Sequence, residues 1–334
     1  MPNLPLVVIT NVTFPETRAL FDGVARLVAN DQTEPWPVDV LRGHCREAAG
    51  IMAFMTDRID GEFLGACPHL RIVGAALKGF DNIDVAAASA RGVWVTICED
   101  LLTVPTAELA VGLMLSIGRH MVKADREIRE SGFSGWRPTH YGTGIHGAEV
   151  GIVGFGKVGQ AIAGRLFGFA CRLSAFDASP AAFPDQFNGL VERRGLPDIL
   201  AHSDFVVLAL PLTSETTHII DAGAVAAMRP GALLVNPARG SLVDEKVVAD
   251  ALDAGKLGGY AADVFECEDW ARRDRPQAVD PRLRSPAART VLTPHIGSAV
   301  ISVRREIEAS AAMSIIDVLS SRRPVGAIND PVSR

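Results

Sequence analysis

The chain has 334 residues, 48% of them hydrophobic and 22% charged, and a formal charge of −6 from 33 Lys+Arg against 39 Asp+Glu. One hydrophobic core seldom serves more than roughly 250 residues, so two domains are expected. The acidic balance argues against general nucleic-acid or membrane-surface binding, which wants a basic face, and leaves room for a local basic pocket for a small anion.

The N-terminal stretch MPNLPLVVITNVTF lacks a basic leader region and has only a short apolar run. It reads as a first strand rather than a signal peptide. No later stretch is apolar over the length needed to span a bilayer. After LVVIT (6–10) comes a helical segment from Glu16. GIMAFM (50–55), LRIVGAAL (70–77) and GVWVTI (92–97) then read as strands, with IDGEFLGAC and VAAASARG as helices between them. This alternation implies βαβ units and a parallel sheet. Within GAALKGFDNIDV (74–85), Lys78 stands where a buried strand runs into a turn, an ammonium at the mouth of a candidate cleft. The five cysteines, Cys45, Cys67, Cys98, Cys171 and Cys267, are odd in number and form no C-x-x-C pair. They read as small buried hydrophobes in a reduced, cytoplasmic compartment, with no metal site.

PTAELAVGLMLSIGRHMVKADREIRESG (105–132) predicts one long helix, with Pro near its start and Gly at its end. Its small, apolar first half is buried, either in a core or at a subunit interface. A second βα series follows, with strands in AEVGIV, CRLSAFD, DFVVLALPL, GALLVN, GGYAADVF and TVLTPHIG. RRDRPQAVDPRLRSPAAR (272–289) reads as a polar, solvated loop, and 298–320 as a helix.

Gly154-Phe155-Gly156-Lys157-Val158-Gly159 is a G-x-G-x-x-G that directly follows a strand and opens a helix, with Asp177 at the end of the next strand. In that context the glycines admit a pyrophosphate to the helix N-terminus, and the carboxylate accepts hydrogen bonds from a ribose. Asp177 repels a 2′-phosphate, and Ala178-Ser179-Pro180 supply no arginine to offset it, so NAD is the expected cofactor. Arg239, Glu268 and His295 stand at the ends of later strands, where such sheets carry their working residues. An Arg clamps an anion, a His moves a proton near neutral pH, and a Glu beside it fixes one tautomer.

With G-F-G-K-V-G upstream, N-P-A-R-G-S-L-V-D-E (236–245), D-V-F-x-x-E (263–268) and P-H-I-G (294–297) resemble the D-isomer-specific 2-hydroxyacid dehydrogenase superfamily over almost the whole chain. The resemblance implies two doubly wound parallel-sheet α/β domains with a cleft between them. Residues 1–104 plus 296–334 would form a flavodoxin-like substrate domain, and 105–295 a Rossmann NAD-binding domain. It implies Arg239, Glu268 and His295 as the catalytic set. It adds Pro211, Thr106, Asn236, Pro237, Ala238 and Asp263 to Gly154, Gly156, Lys157, Val158, Gly159 and Asp177 around the cofactor, Asp263 at its nicotinamide end.

The superfamily usually has a small residue where Lys78 stands. MAFM-x-DR, ALKGFDN-x-DV, LLTVPTAELA, HYGTG, LLVNPARGS, GGYAADVFE-x-EDWAR and TPHIGSAV-x-x-VR-x-EIE resemble one branch, the phosphite (phosphonate) dehydrogenases, with Ala238 where that branch has Cys. This implies NAD-dependent oxidation of phosphite to phosphate, with water as the oxygen source and His295 as the base. Lys78, Gly79, Arg239, Met55, Arg304, Ser298, Trp136 and Tyr141 would meet the substrate, the last two from a loop at a homodimer interface. The alternatives are a glyoxylate or hydroxypyruvate reductase, against which Lys78 and EDWAR count, and a silent NAD-sensing binding protein, against which the intact Arg239, Glu268 and His295 count.

Overall fold

The computed structural model describes residues 4–98, 100–269, 272 and 274–331, so Trp270 and Ala271 of the EDWAR stretch lie outside the described residues. The chain divides into two compact units. One runs through Leu102 and resumes at Ser298; the other comprises Thr103–Asp269 and Asp274–Gly297.

In the first unit, β1 (Leu6–Ile9), β2 (Arg26–Ala29), β3 (Ala48–Ala53), β4 (Ile72–Ala75) and β5 (Trp94–Thr96) form a parallel sheet ordered β2-β1-β3-β4-β5. The order reverses between β1 and β3, the doubly wound arrangement whose ligands bind beyond the strands' carboxyl ends. Successive strand residues point to opposite faces. Val8, Ile51, Val73 and Val95 therefore join one core, while Val7, Ile9, Met52 and Ile72 join another with Ile307, Ala311 and Ile315 of the helix Ile301–Leu319. Burial on both faces is why these strands read as unbroken apolar runs. β2 escapes the sequence pattern because it is a half-exposed edge of four residues. The helices Gly61–Ala66 and Val85–Ala90 start at Asp60 and Asp84, whose side chains accept the Phe63 and Ala87 N–H groups at 2.9 and 2.8 Å.

The turns after β3 and β4 are tied together. Asp57 Oδ2 accepts the Phe54 N–H at 2.7 Å and the Thr10 hydroxyl. Asn82 Nδ2 donates to the Asp57 and Phe54 carbonyls at 2.7 and 3.1 Å.

In the second unit, β6 (Glu149–Val153), β7 (Arg172–Phe176), β8 (Val191–Arg193), β9 (Phe205–Leu208), β10 (Ala232–Asn236), β11 (Leu257–Ala262) and β12 (Thr290–Leu292) form a parallel sheet. Its order, β12-β11-β10-β9-β6-β7-β8, is that of a Rossmann domain with one further strand. The single helix expected over 105–132 is two, Thr103–Gly118 and Met121–Ser131. His120 between them is left-handed at φ 55°, and the Gly118 carbonyl accepts the Thr143 N–H at 2.8 Å instead of continuing the ladder. The small, apolar first helix is core: Ala107, Ala110, Leu113, Met114 and Ile117 are buried with Val150, Phe205 and Ala261. Among the described residues, no helix is long and apolar enough to cross a membrane, and the five cysteines are free.

Burial pushes the Asp57 carboxyl up to about 6, against the two hydrogen bonds that favour its charge. The ionised form is the disfavoured one. The stability tied to this group is therefore fully present below its ordinary value of 3.8 and lost as pH rises through about 6. Asp57→Asn keeps an acceptor and cannot ionise. It is expected to raise Tm at about pH 8 and to give no gain at about pH 4; thermal denaturation at both pH values checks this, and an equal effect at both would mean the carboxyl is not desolvated.

Candidate active site

Three neighbouring strands set the site. β10, β11 and β12 end in register, Asn236 opposite Ala262 and Ala262 opposite Leu292. The segments carrying Arg239, Glu268 and His295 thus leave the same edge of the sheet side by side.

His295 is left-handed at φ 55°, a conformation that costs about 1 kcal/mol or more outside glycine. Asp263, fully buried, holds it there. Its Oδ1 accepts the Thr293 hydroxyl at 2.6 Å and the Ile296 N–H at 2.8 Å, its Oδ2 accepts the Gly297 N–H at 2.8 Å, and its own carbonyl accepts the His295 N–H at 2.8 Å. Burial pushes this carboxyl above its ordinary value, partly opposed by those donors. The ring of His295 then places Nδ1 2.8 Å from Glu268 Oε2, while Glu268 Oε1 accepts the Phe265 N–H at 2.8 Å. A carboxylate only accepts, so Nδ1 carries a proton, and in the neutral ring the lone pair is on Nε2. Asp263, expected to meet the cofactor, thus also anchors the histidine loop. Thr106 lies beside the same turn, close to where a side chain on Gly297 would begin.

Arg239 is extended and half-buried, with Nη1 donating to the Ala238 carbonyl at 2.9 Å. Asn236 shapes its turn: Nδ2 donates to the Arg239 carbonyl at 2.8 Å and Oδ1 accepts the Ala238 N–H at 3.1 Å, with Pro237 buried between them. Gly240 must be glycine, since a Cβ there would sit 1.9 Å from the Phe265 carbonyl carbon. The Arg239 turn therefore lies directly on the backbone leading to Glu268.

The glycine loop between β6 and the helix Lys157–Leu166 fits a dinucleotide. Gly154 has φ 96°, a Cβ on Gly159 would lie 2.2 Å from the Gly154 carbonyl oxygen, and one on Gly156 would meet open space. Its N-cap is Gly156, which has no side chain to cap the helix, and a helix N-terminus attracts an anion. Lys157 is exposed and Val158 packs inward. Asp177 at the end of β7 accepts the Phe155 and Ser179 N–H groups at 2.7 and 2.9 Å. One cation was not foreseen. Arg193, at the end of β8, donates to the carbonyls of Asp177 at 3.1 Å, Ala181 at 2.6 Å and Ser179. Residues 178–180 hold no arginine, yet the fold brings one to their turn. Pro211, past β9, is exposed, and its carbonyl accepts the Thr216 hydroxyl at 2.8 Å.

The first unit gathers its own group. Lys78 and Gly79, both half-buried, follow β4, and Met55 follows β3 against the core. Arg304 Nη1 donates to the Ala76 carbonyl at 3.3 Å, with its guanidinium 5.6 Å from the Phe54 ring centroid and 3.9 Å from the Glu308 carboxylate. Burial lowers its pKa. Ser298 is buried, and its carbonyl accepts the Val300 N–H at 2.8 Å. In the second unit, Trp136 and Tyr141 are 75% and 76% exposed, so the single chain does not fold them onto its core.

Residues 111–297 match the NAD binding domain of the D-isomer specific 2-hydroxyacid dehydrogenases. The chain is 35% identical over 328 residues to a glyoxylate reductase of Thermococcus kodakarensis, covering 95% of this chain and 96% of that protein. It is 33% identical over 335 residues to the glyoxylate reductase of Aeropyrum pernix, covering 98% and 97%. Among solved structures it is similar to the TT0316 protein of Thermus thermophilus, with TM-score 0.86, 29% identity and coverage of 97% and 100%. It is also similar to an NADPH-dependent glyoxylate/hydroxypyruvate reductase of Sinorhizobium meliloti in complex with NADP and malonate, with TM-score 0.83, 25% identity and coverage of 99% and 98%.

Arg193 is already drawn to the 177–181 turn, so the expectation that the Asp177 carboxylate disfavours a 2′-phosphate can be tested at that one position. Asp177→Ala is expected to raise kcat/KM for NADP relative to NAD by about tenfold or more, one tenfold step corresponding to about 1.4 kcal/mol. Steady-state kinetics with both cofactors measures it; an unchanged ratio would mean the carboxylate does not face the ribose.

Proposed function

The chain belongs to the D-isomer-specific 2-hydroxyacid dehydrogenase family and carries its NAD-binding domain, and from that premise we propose that it is an oxidoreductase whose hydride donor is phosphite, oxidised to phosphate. The observation that carries this reading is a pair of cations in the first unit, Lys78 after β4 and Arg304 on the helix Ile301–Leu319. Lys78 follows β4, and Arg304 reaches the backbone of Ala76 just before it. A 2-hydroxy or 2-oxo acid offers one carboxylate charge, whereas phosphite near neutral pH is largely a compact dianion. An opposite charge at about 4 Å contributes roughly 4 kcal/mol at an effective dielectric near 20, before desolvation is subtracted. Glu308, 3.9 Å from Arg304, offsets part of the cost of desolvating these cations, and a ligand that brings a second charge would offset more of it.

In this reading Arg239 and Lys78 hold substrate oxygens and stabilise charge on phosphorus as the new oxygen attacks. The Gly79 backbone adds a donor, Arg304 adds a second cation, and Met55 and Ser298 shape the pocket. His295 Nε2 takes a proton from the attacking water while Glu268 keeps the tautomer that makes Nε2 basic. The water oxygen forms the new P–O bond, and the P–H bond breaks with its electron pair. Bound NAD supplies the acceptor for that hydride. Thr106, Pro211, Asn236, Pro237 and Ala238 line the cofactor, and Asp263 holds the loop that carries the base. Phe133, Trp136 and Tyr141, each at least 75% exposed on one loop, are the surface a second copy of the chain would cover, with Trp136 and Tyr141 extending toward the substrate.

A second reading, reduction of glyoxylate or hydroxypyruvate, is favoured by the names of the relatives, and on the relatives alone it is the better supported of the two. Phosphite is placed first because identity near 35% reports a family, while substrate choice rests on the few side chains that touch the reacting group.

One assay separates the readings. With NAD, phosphite is expected to generate NADH absorbance, and D-lactate or D-glycerate little; in reverse, hydroxypyruvate is expected to be a poor substrate. Turnover of the hydroxy acids with none of phosphite would overturn the first reading in favour of the second. Lys78→Ala is expected to raise KM for phosphite and lower kcat while NAD affinity stays, and Lys78→Arg to recover part of the loss. Unchanged phosphite kinetics would make Lys78 a surface residue.

His295→Asn is expected to bind NAD normally and lose about 10²–10⁴-fold in kcat, the usual worth of a general base. Near-normal turnover would place the base elsewhere.

A further inference from the structure

The chain is acidic overall, yet one cavity of the second unit gathers cations. It has a volume of about 240 Å³ and lies between the end of the helix Thr103–Gly118, the start of the helix Met121–Ser131, residues 140–141 and the segment 287–291. Ile117 and Val291, both buried, give it an apolar lining, and His120, Lys123, His140 and Arg289 are its charged or titratable lining. β12 enters the sheet at Thr290 and leaves toward His295. The cavity and the candidate active site therefore lie at opposite ends of the same strand.

The walls are tied together. Arg126 Nη1 donates to the Pro286 carbonyl at 3.4 Å, which joins the helix Met121–Ser131 to the segment before β12. The Tyr260 N–H donates to the Arg289 carbonyl at 3.0 Å, so the Arg289 backbone is fixed on β11. His120 Nε2 lies 3.2 Å from the Tyr141 carbonyl. A carbonyl only accepts, so Nε2 carries the proton and Nδ1 is the position that can take up another.

The charges of the cavity do not balance. Glu127 is taken by His140 at 2.8 Å, and Asp125 by Arg129 at 2.8 Å. Among the described residues, Lys123 and Arg289 have no carboxylate within ion-pair distance. Burial, and then the charges of Arg289, His140 and Lys123, lower the His120 pKa, so these groups stand close enough to repel one another. An anion among them replaces that repulsion with attraction.

We propose that this cavity binds a small oxyanion carrying two negative charges, with Lys123 and Arg289 holding its oxygens and His120 as the third cation. Two unpaired cations call for two charges, and the volume admits a phosphate group with room for a small body behind it. The site is built wholly from the second unit and does not depend on the substrate assigned above. The sign of its pH dependence follows: a bound anion stabilises the imidazolium, so His120 titrates at higher pH with the anion present, and affinity rises as pH falls.

The probe is inorganic phosphate added to the full chain, replacing NaCl at constant ionic strength so that screening stays fixed. The readout is the His120 ring signal in NMR, assigned by its loss in His120→Gln. It is expected to shift with half-saturation at roughly 1 mM and to titrate at higher pH when phosphate is bound. Acetate, with one charge, is expected to need about tenfold more. Glycerol 2-phosphate separates a phosphate ester from the free ion: binding of either dianion supports the proposal, and the tighter one names the source. Lys123→Ala and Arg289→Ala are each expected to weaken phosphate about tenfold, the scale of a lost hydrogen bond to a charged group, with turnover unchanged. No shift of the His120 signal, acetate binding as well as phosphate, or undiminished affinity in both variants overturns the proposal. If the variants change the assembly state by light scattering and leave the phosphate response as it was, the cations serve a second copy of the chain and the proposal falls.

Discussion

Asp263 ends β11 fully buried, and its carboxylate takes a hydroxyl and two backbone N–H groups from the Thr293–Gly297 loop. Charge-assisted bonds of this kind contribute about 1.5–3 kcal/mol each when their partners stay desolvated. They keep His295 in a left-handed backbone that solvent would not hold, and from there its ring meets Glu268. Everything proposed for His295 follows from that one anchor. Without it the imidazole sits on a free loop, and neither its tautomer nor its direction is set.

The same device recurs at the other strand ends. Asp57 binds the turn after β3 through the Phe54 N–H and the Thr10 hydroxyl. Asp177 binds the glycine loop through the Phe155 N–H. Glu245 and Glu266 exchange backbone N–H groups across two turns. Turns at the carboxyl ends of parallel strands leave N–H groups without ladder partners, and such groups must be satisfied. A short acidic side chain does this over one or two residues where a further strand has no room. Burial makes the Asp57, Asp263 and Glu245 carboxylates harder to ionise, so those held turns respond to pH as well as to packing.

Cations are arranged differently. Arg239 follows β10 in the second unit; in the first, Lys78 follows β4, and Arg304 of the helix Ile301–Leu319 reaches the Ala76 carbonyl at the end of that strand. Arg193 is drawn to the 177–181 turn by three carbonyls. Backbone oxygens direct a donor without cancelling its charge, as the Ala238 and Ala76 carbonyls do for Arg239 and Arg304. Arg304 also meets the Glu308 carboxylate at 3.9 Å.

Periodicity and motif context made most of the framework legible from the chain alone. Buried parallel strands must be apolar on both faces, so LVVIT, GIMAFM and GALLVN announced themselves. The glycine spacing after β6 is demanded by close backbone approach, whatever lies around it. Arg239, Glu268 and His295 were visible because each directly follows such a strand. Edge strands β2 and β8 were not, because four or fewer half-exposed residues carry no pattern. The break at His120 was not, because it depends on Thr143 reaching the Gly118 carbonyl from beyond the second helix. The pairing of Glu245 with Glu266, the approach of Arg193 to Asp177 and the grip of Asp263 on the histidine loop needed the fold itself. Their partners lie tens of residues apart, and only strand order and register bring such partners within hydrogen-bonding distance.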